Sequence, residues 1–149
     1  MRAVVQRVRQ ASVRCLDGVD AGRDASIGVG LVVLVGVTHD DDVARARRLA
    51  EKLWGLRIFD DAEGVANLAC ADVDGEVLVV SQFTLYADTR RGRRPSYLDA
   101  ARPEDAEPLV TAVADHFTSL GARVATGCFG AAMELALVND GPWTMTVEV

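Results

Sequence analysis

The chain has 149 residues, half of them hydrophobic and 26% charged, with a formal net charge of −6. That is the composition of a compact soluble protein, which excludes intrinsic disorder and a disulfide-stapled mini-protein: a chain this long buries roughly two-thirds of its unfolded surface in one core. The longest apolar run, Ile27 to Val37, has 11 residues against the roughly 20 that a bilayer span needs, and Arg7 falls where a signal peptide is apolar, so a cytoplasmic, non-membrane protein is expected.

No linker, repeat or low-complexity tract interrupts the chain, so residues 1–149 read as one domain. Ala3 to Val13 is rich in valine alternating with Arg and Gln, as in a half-exposed strand. Asp17-Gly18 is a turn of the kind that joins antiparallel strands, and Leu31 to Val37 reads as a strand buried on both faces. His39-Asp40-Asp41-Asp42 places acids at a helix start, and Val43, Ala46, Ala50, Leu53 and Trp54 then recur at helical spacing up to Gly55. Leu56 to Phe59 is short and apolar, with Asp61-Ala62-Glu63-Gly64 as a turn after it. Val77 to Leu85 reads as a central strand and Ala87 to Arg94 as a loop. A second helix lies between Pro103 and Gly121, its buried stripe formed by Leu109, Val110, Val113, Phe117 and Leu120. Because of Pro108, either this helix starts near Ala106 or it kinks. Arg123 to Thr126, Met133 to Val138 and Trp143 to Val149 complete the strands. The predicted architecture is α+β: a strand-rich, layered or barrel-like sheet with two main helices on one face.

The usual catalytic signatures are missing. Cys15, Cys70 and Cys128 are odd in number and none has a partner at metal-ligand spacing, so they read as buried or incidental thiols and no metal is expected. His39 and His116 sit in no nucleophile motif. Asp40 to Asp42 serve as a helix cap, and Gly28, Gly30 and Gly36 form no phosphate-binding loop. No cofactor is expected. The acidic pI argues against a surface coated in positive charge, yet Arg90, Arg91, Arg93 and Arg94 crowd one loop and are as well suited to phosphate contact as to solvation.

Two stretches resist a purely structural reading. Ser81-Gln82-Phe83-Thr84-Leu85 ends an apolar strand in hydroxyls and an amide, which can aim donors at a polarised carbonyl. Val138-Asn139-Asp140-Gly141-Pro142-Trp143-Thr144 is by default a turn, though a Gly-Pro bond can also be cis and kept for its geometry. Taken together, Ser-Gln-Phe-Thr-Leu and Asn-x-Gly-Pro-x-Thr resemble the two signature motifs of the D-aminoacyl-tRNA deacylases. The likeness covers nearly the whole chain, with Gln6-Arg7-Val8, Ala11-Ser12-Val13, Arg57-Ile58-Phe59, Arg94-Pro95-Ser96 and Phe129 to Met133 also matching. Trp143 and Pro108 depart from the family's pattern.

The resemblance implies hydrolysis of the ester between a D-amino acid, or achiral glycine, and the 3′-terminal adenosine of tRNA, with L-aminoacyl esters refused. It implies a homodimer with active sites at the interface. Gly141-Pro142 would be cis, enter the partner's site and hold the substrate ammonium, while its rigid backbone walls off the L direction. Ser81, Gln82, Phe83 and Thr84 would line the ester, and Phe129 and Met133 the adenosine. Asn139 belongs to the same loop motif, and Arg7 would brace it. Thr84 is the candidate nucleophile, but no base for it is evident, and the alternative is water assisted by the RNA 2′-OH. The rival reading is a non-catalytic dimer that binds RNA or a small molecule through the same pocket.

Overall fold

The computed structural model describes residues 1–90 and 92–149, and its sheet is organised around β1 (Arg2–Cys15). Toward its N-terminal end β1 pairs antiparallel with β3 (Gly30–Gly36), and toward its C-terminal end with β2 (Asp24–Ile27). Along its other edge it pairs with β8 (Met133–Glu148). Beyond β3 the sheet continues in parallel through β6 (Glu76–Ser81) to β7 (Arg123–Thr126). Parallel neighbours need crossover connections, and the two helices lie in them. The first crossover holds α1 (Val43–Trp54) and a small hairpin of β4 (Phe59–Asp60) and β5 (Ala66–Leu68), and the second holds α2 (Pro103–Ser119). The fold is α+β with a nearly closed, barrel-like sheet.

Side-chain alternation explains why the sheet has two buried faces. In β3, Leu31, Val33 and Val35 join Leu49, Leu53, Val113 and Phe117 in a core beneath the helices. Val32 points the other way, into a second core with Leu78 and Val80. β1 serves both: Ala3 and Val5 face the helix-side core, whereas Val8, Ala11 and Val13 face the second. That change of parity is absorbed at Arg9-Gln10, where Val8 opposes Asn139 and Gln10 opposes Val138, so the strand carries a bulge. Across the helix layer, the rings of Trp54 and Phe117 meet edge to face at 6.3 Å.

Several sequence expectations need correction. α2 begins at Pro103, not Ala106, because a proline in the first turn has no N–H to leave unpaired. Pro108 is accommodated in the second turn, where it withholds one bond from the Glu104 carbonyl. Of its expected stripe, Val113 and Phe117 are buried, but Leu120 is exposed. The strand after the 70s ends at Ser81, and Phe83–Tyr86 form a 3-10 turn. The segments 133–138 and 143–149 form one strand, β8, interrupted by a bulge. The apolar run after Gly55 gives only the two-residue β4. Cys15 and Cys128 are not free thiols: β1–β8 pairing brings their Cα atoms to 6.1 Å, and they form a disulfide. Cys70 is buried and free, and burial pushes its thiol up to about 12. Among the described residues no helix is long and apolar enough to cross a membrane.

Candidate active site

The end of β6 and the turn after it are held by backbone contacts with β3. Gln82 N–H donates to the Val35 carbonyl at 2.7 Å, and Leu85 N–H donates to the Gln82 carbonyl at 3.2 Å. Gly36 makes this approach possible: a Cβ there would stand 3.0 Å from Leu85 Cβ and 3.2 Å from the Gln82 oxygen. Because the chain turns at Gln82, the N–H groups of Phe83 and Thr84 find no carbonyl acceptor among the described residues. Two adjacent unpaired donors, the first on a residue that lines a cavity, suit a developing oxyanion.

Ser81, Gln82 and Phe83 line a cavity of about 640 Å³, together with Tyr97, Phe129 and Met133. Its remaining wall is apolar, from Val35 of β3, Val37 just after it, and Ala106 and Val110 of α2. Phe129 and Met133 are positioned by the turn before β8. The Met133 sulfur accepts from Cys128 N–H at 3.3 Å, and Gly127 leaves room for it, since a Cβ there would lie 2.7 Å away. Arg23 donates to the carbonyls of Thr126 and Gly127 at 3.2 and 2.8 Å, tying the same turn to the β1–β2 loop. Thr84 is exposed outside this cavity, its hydroxyl accepting from the Gln82 amide. Among the described residues no histidine or carboxylate lies in the lining: His116 pairs with Glu51 at 3.0 Å, and His39 contacts the Leu98 carbonyl at 2.7 Å.

The second motif forms a separate cluster. Between the pairs Gln6–Thr144 and Val8–Asn139, β8 has three more residues than β1, so Asp140 to Trp143 loop outward with Gly141-Pro142 in the cis form. Arg7, only 5% exposed, anchors this loop from the opposing strand. Its guanidinium donates to the Ile58 carbonyl at 2.6 Å and the Asp140 carbonyl at 3.2 Å, and pairs with the Asp140 carboxylate at 3.0 Å. The rings of Phe59 and Trp143 lie 5.8 and 5.7 Å from it, so Trp143 packs on Arg7 rather than disturbing the loop. Asn139 completes the brace, its amide donating to the Arg7 and Trp143 carbonyls at 2.9 and 3.3 Å.

The structure therefore brings Ser81, Gln82, Phe83, Phe129 and Met133 together and gathers Arg7, Asn139, Gly141 and Pro142 elsewhere. Gly141 and Pro142 are exposed and are not among the residues lining the cavity of their own chain. Sequence reasoning missed Tyr97 in the cavity and Asp140 in the brace. The arginine between β strands flags the latter, since a buried guanidinium in a valine-rich strand needs a partner. In the loop before α2, Arg90 forks onto Asp88 at 2.9 and 2.8 Å, which holds that carboxyl down at about 2. Arg93 and Arg94 are exposed, and Arg91 lies outside the described residues.

A family model described as D-Tyr-tRNA(Tyr) deacylase matches residues 4–148. A protein of Roseiflexus sp. (strain RS-1), named D-aminoacyl-tRNA deacylase, is 57% identical over 148 residues, covering 99% of this chain and 93% of the relative. A solved structure described as c-Myc DNA Unwinding Element Binding Protein is similar with a TM-score of 0.89 at 33% identity, over 100% of this chain and 99% of that one. Another, of a probable eukaryotic D-amino acid tRNA deacylase, shares the fold with a TM-score of 0.84 at 17% identity, over 99% and 98%. With a match spanning both motifs and nearly every strand between them, this chain belongs to the D-Tyr-tRNA(Tyr) deacylase family.

Proposed function

We propose that this protein, acting through residues 1–149 as one domain, hydrolyses D-aminoacyl-tRNA and glycyl-tRNA in the cytoplasm and refuses L-aminoacyl esters. Its family membership and a relative's name as a D-aminoacyl-tRNA deacylase support the reaction class. The observation that carries the finer reading is the separation of the two motifs. Each is built and braced, but the loop is absent from its own chain's cavity. A homodimer that exchanges loops completes both sites, as a two-fold interface permits.

Gly141 supports the exchange. A Cβ there would meet nothing closer than Asn139 Oδ1 at 3.7 Å, and its φ is not left-handed. Among the described residues no contact of that Cβ calls for glycine at this position. A close approach by something outside the chain does.

In the assembled site the terminal adenosine packs on Phe129 and Met133, and the Gly141-Pro142 carbonyls of the other protomer accept from the substrate ammonium. With ammonium and ester both fixed, the L side chain points into that main chain and the D side chain points outward. The ester carbonyl receives the Phe83 and Thr84 N–H groups, with Ser81 and Gln82 beside it. Thr84 has no base and stands outside the cavity, so water attacks, oriented by the ribose 2′-OH. The water oxygen bonds to the ester carbon and the acyl C–O3′ bond breaks; one water proton passes to the ribose oxygen and the other to solvent, and the amino acid leaves as a carboxylate. No cofactor enters this scheme.

Incubation with D-tyrosyl-, L-tyrosyl- and glycyl-tRNA tests it: release from the D and glycyl esters alone is expected. Equal release from the L ester contradicts the wall. Release from none favours the second reading, a non-catalytic RNA- or small-molecule-binding dimer, for which the DNA-element-binding name of one structural neighbour speaks. Thr84→Ala is expected to keep most activity, and a fall to background restores the threonine nucleophile.

A further inference from the structure

We propose that the rings of Phe83 and Tyr97 form a stacking platform at the cavity lip for the nucleobase just 5′ of the terminal adenosine, with Arg93 and Arg94 on its phosphates. The inference rests on the deacylase reading and extends it to the tRNA strand outside the pocket.

The two rings meet edge to face with centroids 5.0 Å apart. Both line the cavity, yet they are 57% and 41% exposed, unlike the buried Phe59 and Phe117. Large rings left in water beside a binding cavity are available surface. A cavity of about 640 Å³ is of a size to take an aminoacyl-adenosine, which leaves these two rings at its lip for the next nucleotide.

The lip is rigid. Thr38 Oγ1 donates to the Asp99 carbonyl at 2.6 Å, His39 Nε2 contacts the Leu98 carbonyl at 2.7 Å, and Ala101 N–H donates to Val37 at 2.9 Å. His39 is thereby a positioning residue for the segment carrying Tyr97. Just upstream, Asp88 and Ser96 exchange backbone hydrogen bonds at 2.7 and 2.9 Å, which closes the arginine-bearing loop. Arg90 is committed to Asp88, whereas Arg93 and Arg94 make no salt bridge among the described residues. On a chain with net charge −6, Arg93 and Arg94 put exposed positive charge in the segment that leads into Tyr97. Stacking combined with phosphate contact is how single strands are held without base readout, which suits the unpaired 3′ end of tRNA.

The test compares kcat/KM for D-tyrosyl-tRNA and for 2′(3′)-O-D-tyrosyl-adenosine. In Tyr97→Ala the preference for the tRNA ester is expected to fall about tenfold, and Tyr97→Phe is expected to keep it. Arg94→Ala is expected to reduce the salt slope of tRNA binding by about one. On the wild-type protein, an RNA hairpin with 2-aminopurine at the penultimate position is expected to lose fluorescence on binding. An unaltered preference in Tyr97→Ala, an unquenched probe, or a Tyr97→Ala protein whose oligomeric state changes instead would overturn the platform. Wild-type protein inactive on both esters sinks the deacylase reading itself, a separate outcome.

Discussion

Replacing Arg7 by Met tests how the Gly141-Pro142 loop is held. The guanidinium is 5% exposed and serves the Ile58 and Asp140 carbonyls, the Asp140 carboxylate at 3.0 Å and that of Asp60 at 3.4 Å. Methionine fills similar space but donates nothing, so two carbonyls and two carboxylates lose their contact with it. Removing one member of a buried pair costs about 3–5 kcal/mol. Asp140 keeps Arg9 at 3.3 Å, and the side chains of Asp140 and Asp60 are 31% and 50% exposed, which lessens the penalty. The expected destabilisation is therefore ~2–3 kcal/mol, a fall in Tm of roughly 5–10 °C for a chain of this size. Calorimetry measures it directly. Hydrolysis of D-tyrosyl-tRNA, assayed well below both midpoints, is expected to drop at least tenfold because the loop is no longer fixed (about 1.4 kcal/mol of transition-state stabilisation). Arg7→Lys keeps the charge without the fork and is expected to fall between. A Tm within about 1 °C of wild type together with full activity would refute the brace.

Gly141→Ala is expected to leave Tm nearly unchanged, since the added Cβ would meet its nearest neighbour at an ordinary contact distance of 3.7 Å, while D-ester hydrolysis falls; equal loss of stability and activity would place the constraint inside the chain. Cys15→Ser, or reduction, opens a link between residues 113 apart, for which chain entropy sets an upper limit of about 4–5 kcal/mol. A lower Tm is expected, reached slowly by dissolved reductant because the cysteines are only 2% and 4% exposed; an unshifted midpoint would mean that the link does not contribute. Arg90 holds the Asp88 carboxyl at about 2 against an ordinary 3.8, so this pair's contribution is present above the ordinary value and is lost progressively as pH falls from there through about 2. An NMR titration is expected to show that midpoint, moving upward in Arg90→Ala. The Cys70 thiol, raised to about 12 by burial, is expected to resist alkylation until the protein unfolds.

The sequence was most legible where one period ruled a segment. Leu31 to Val37 alternates between two cores, and Val43 to Trp54 runs from the Asp42 cap to Gly55, so both elements fall where their patterns place them. The start of α2 was not legible, because Pro103 and Pro108 compete for the first turn and only packing chooses between them. The single long β8 was hidden by a four-residue excursion that has the composition of a turn. The Cys15–Cys128 link has no local signature, since it exists only through the pairing that sets Cys15 opposite Met133. The two site motifs could be read as motifs, but not their separation in space. Tyr97 carried no periodic signal at all; its place at the cavity lip follows from Thr38 and His39, distant in sequence.

Mixing two defective variants tests most directly whether each site is built from two chains. A loop variant, Pro142→Ala with Gly141→Ala, and a cavity variant, Phe129→Ala with Gln82→Ala, are each expected to be inactive alone. Unfolded and refolded together at equal concentration, they form hybrid dimers in which one cavity meets one intact loop, and about a quarter of wild-type D-tyrosyl-tRNA hydrolysis is expected to return. A mixture as inactive as its components would contradict the exchange of loops.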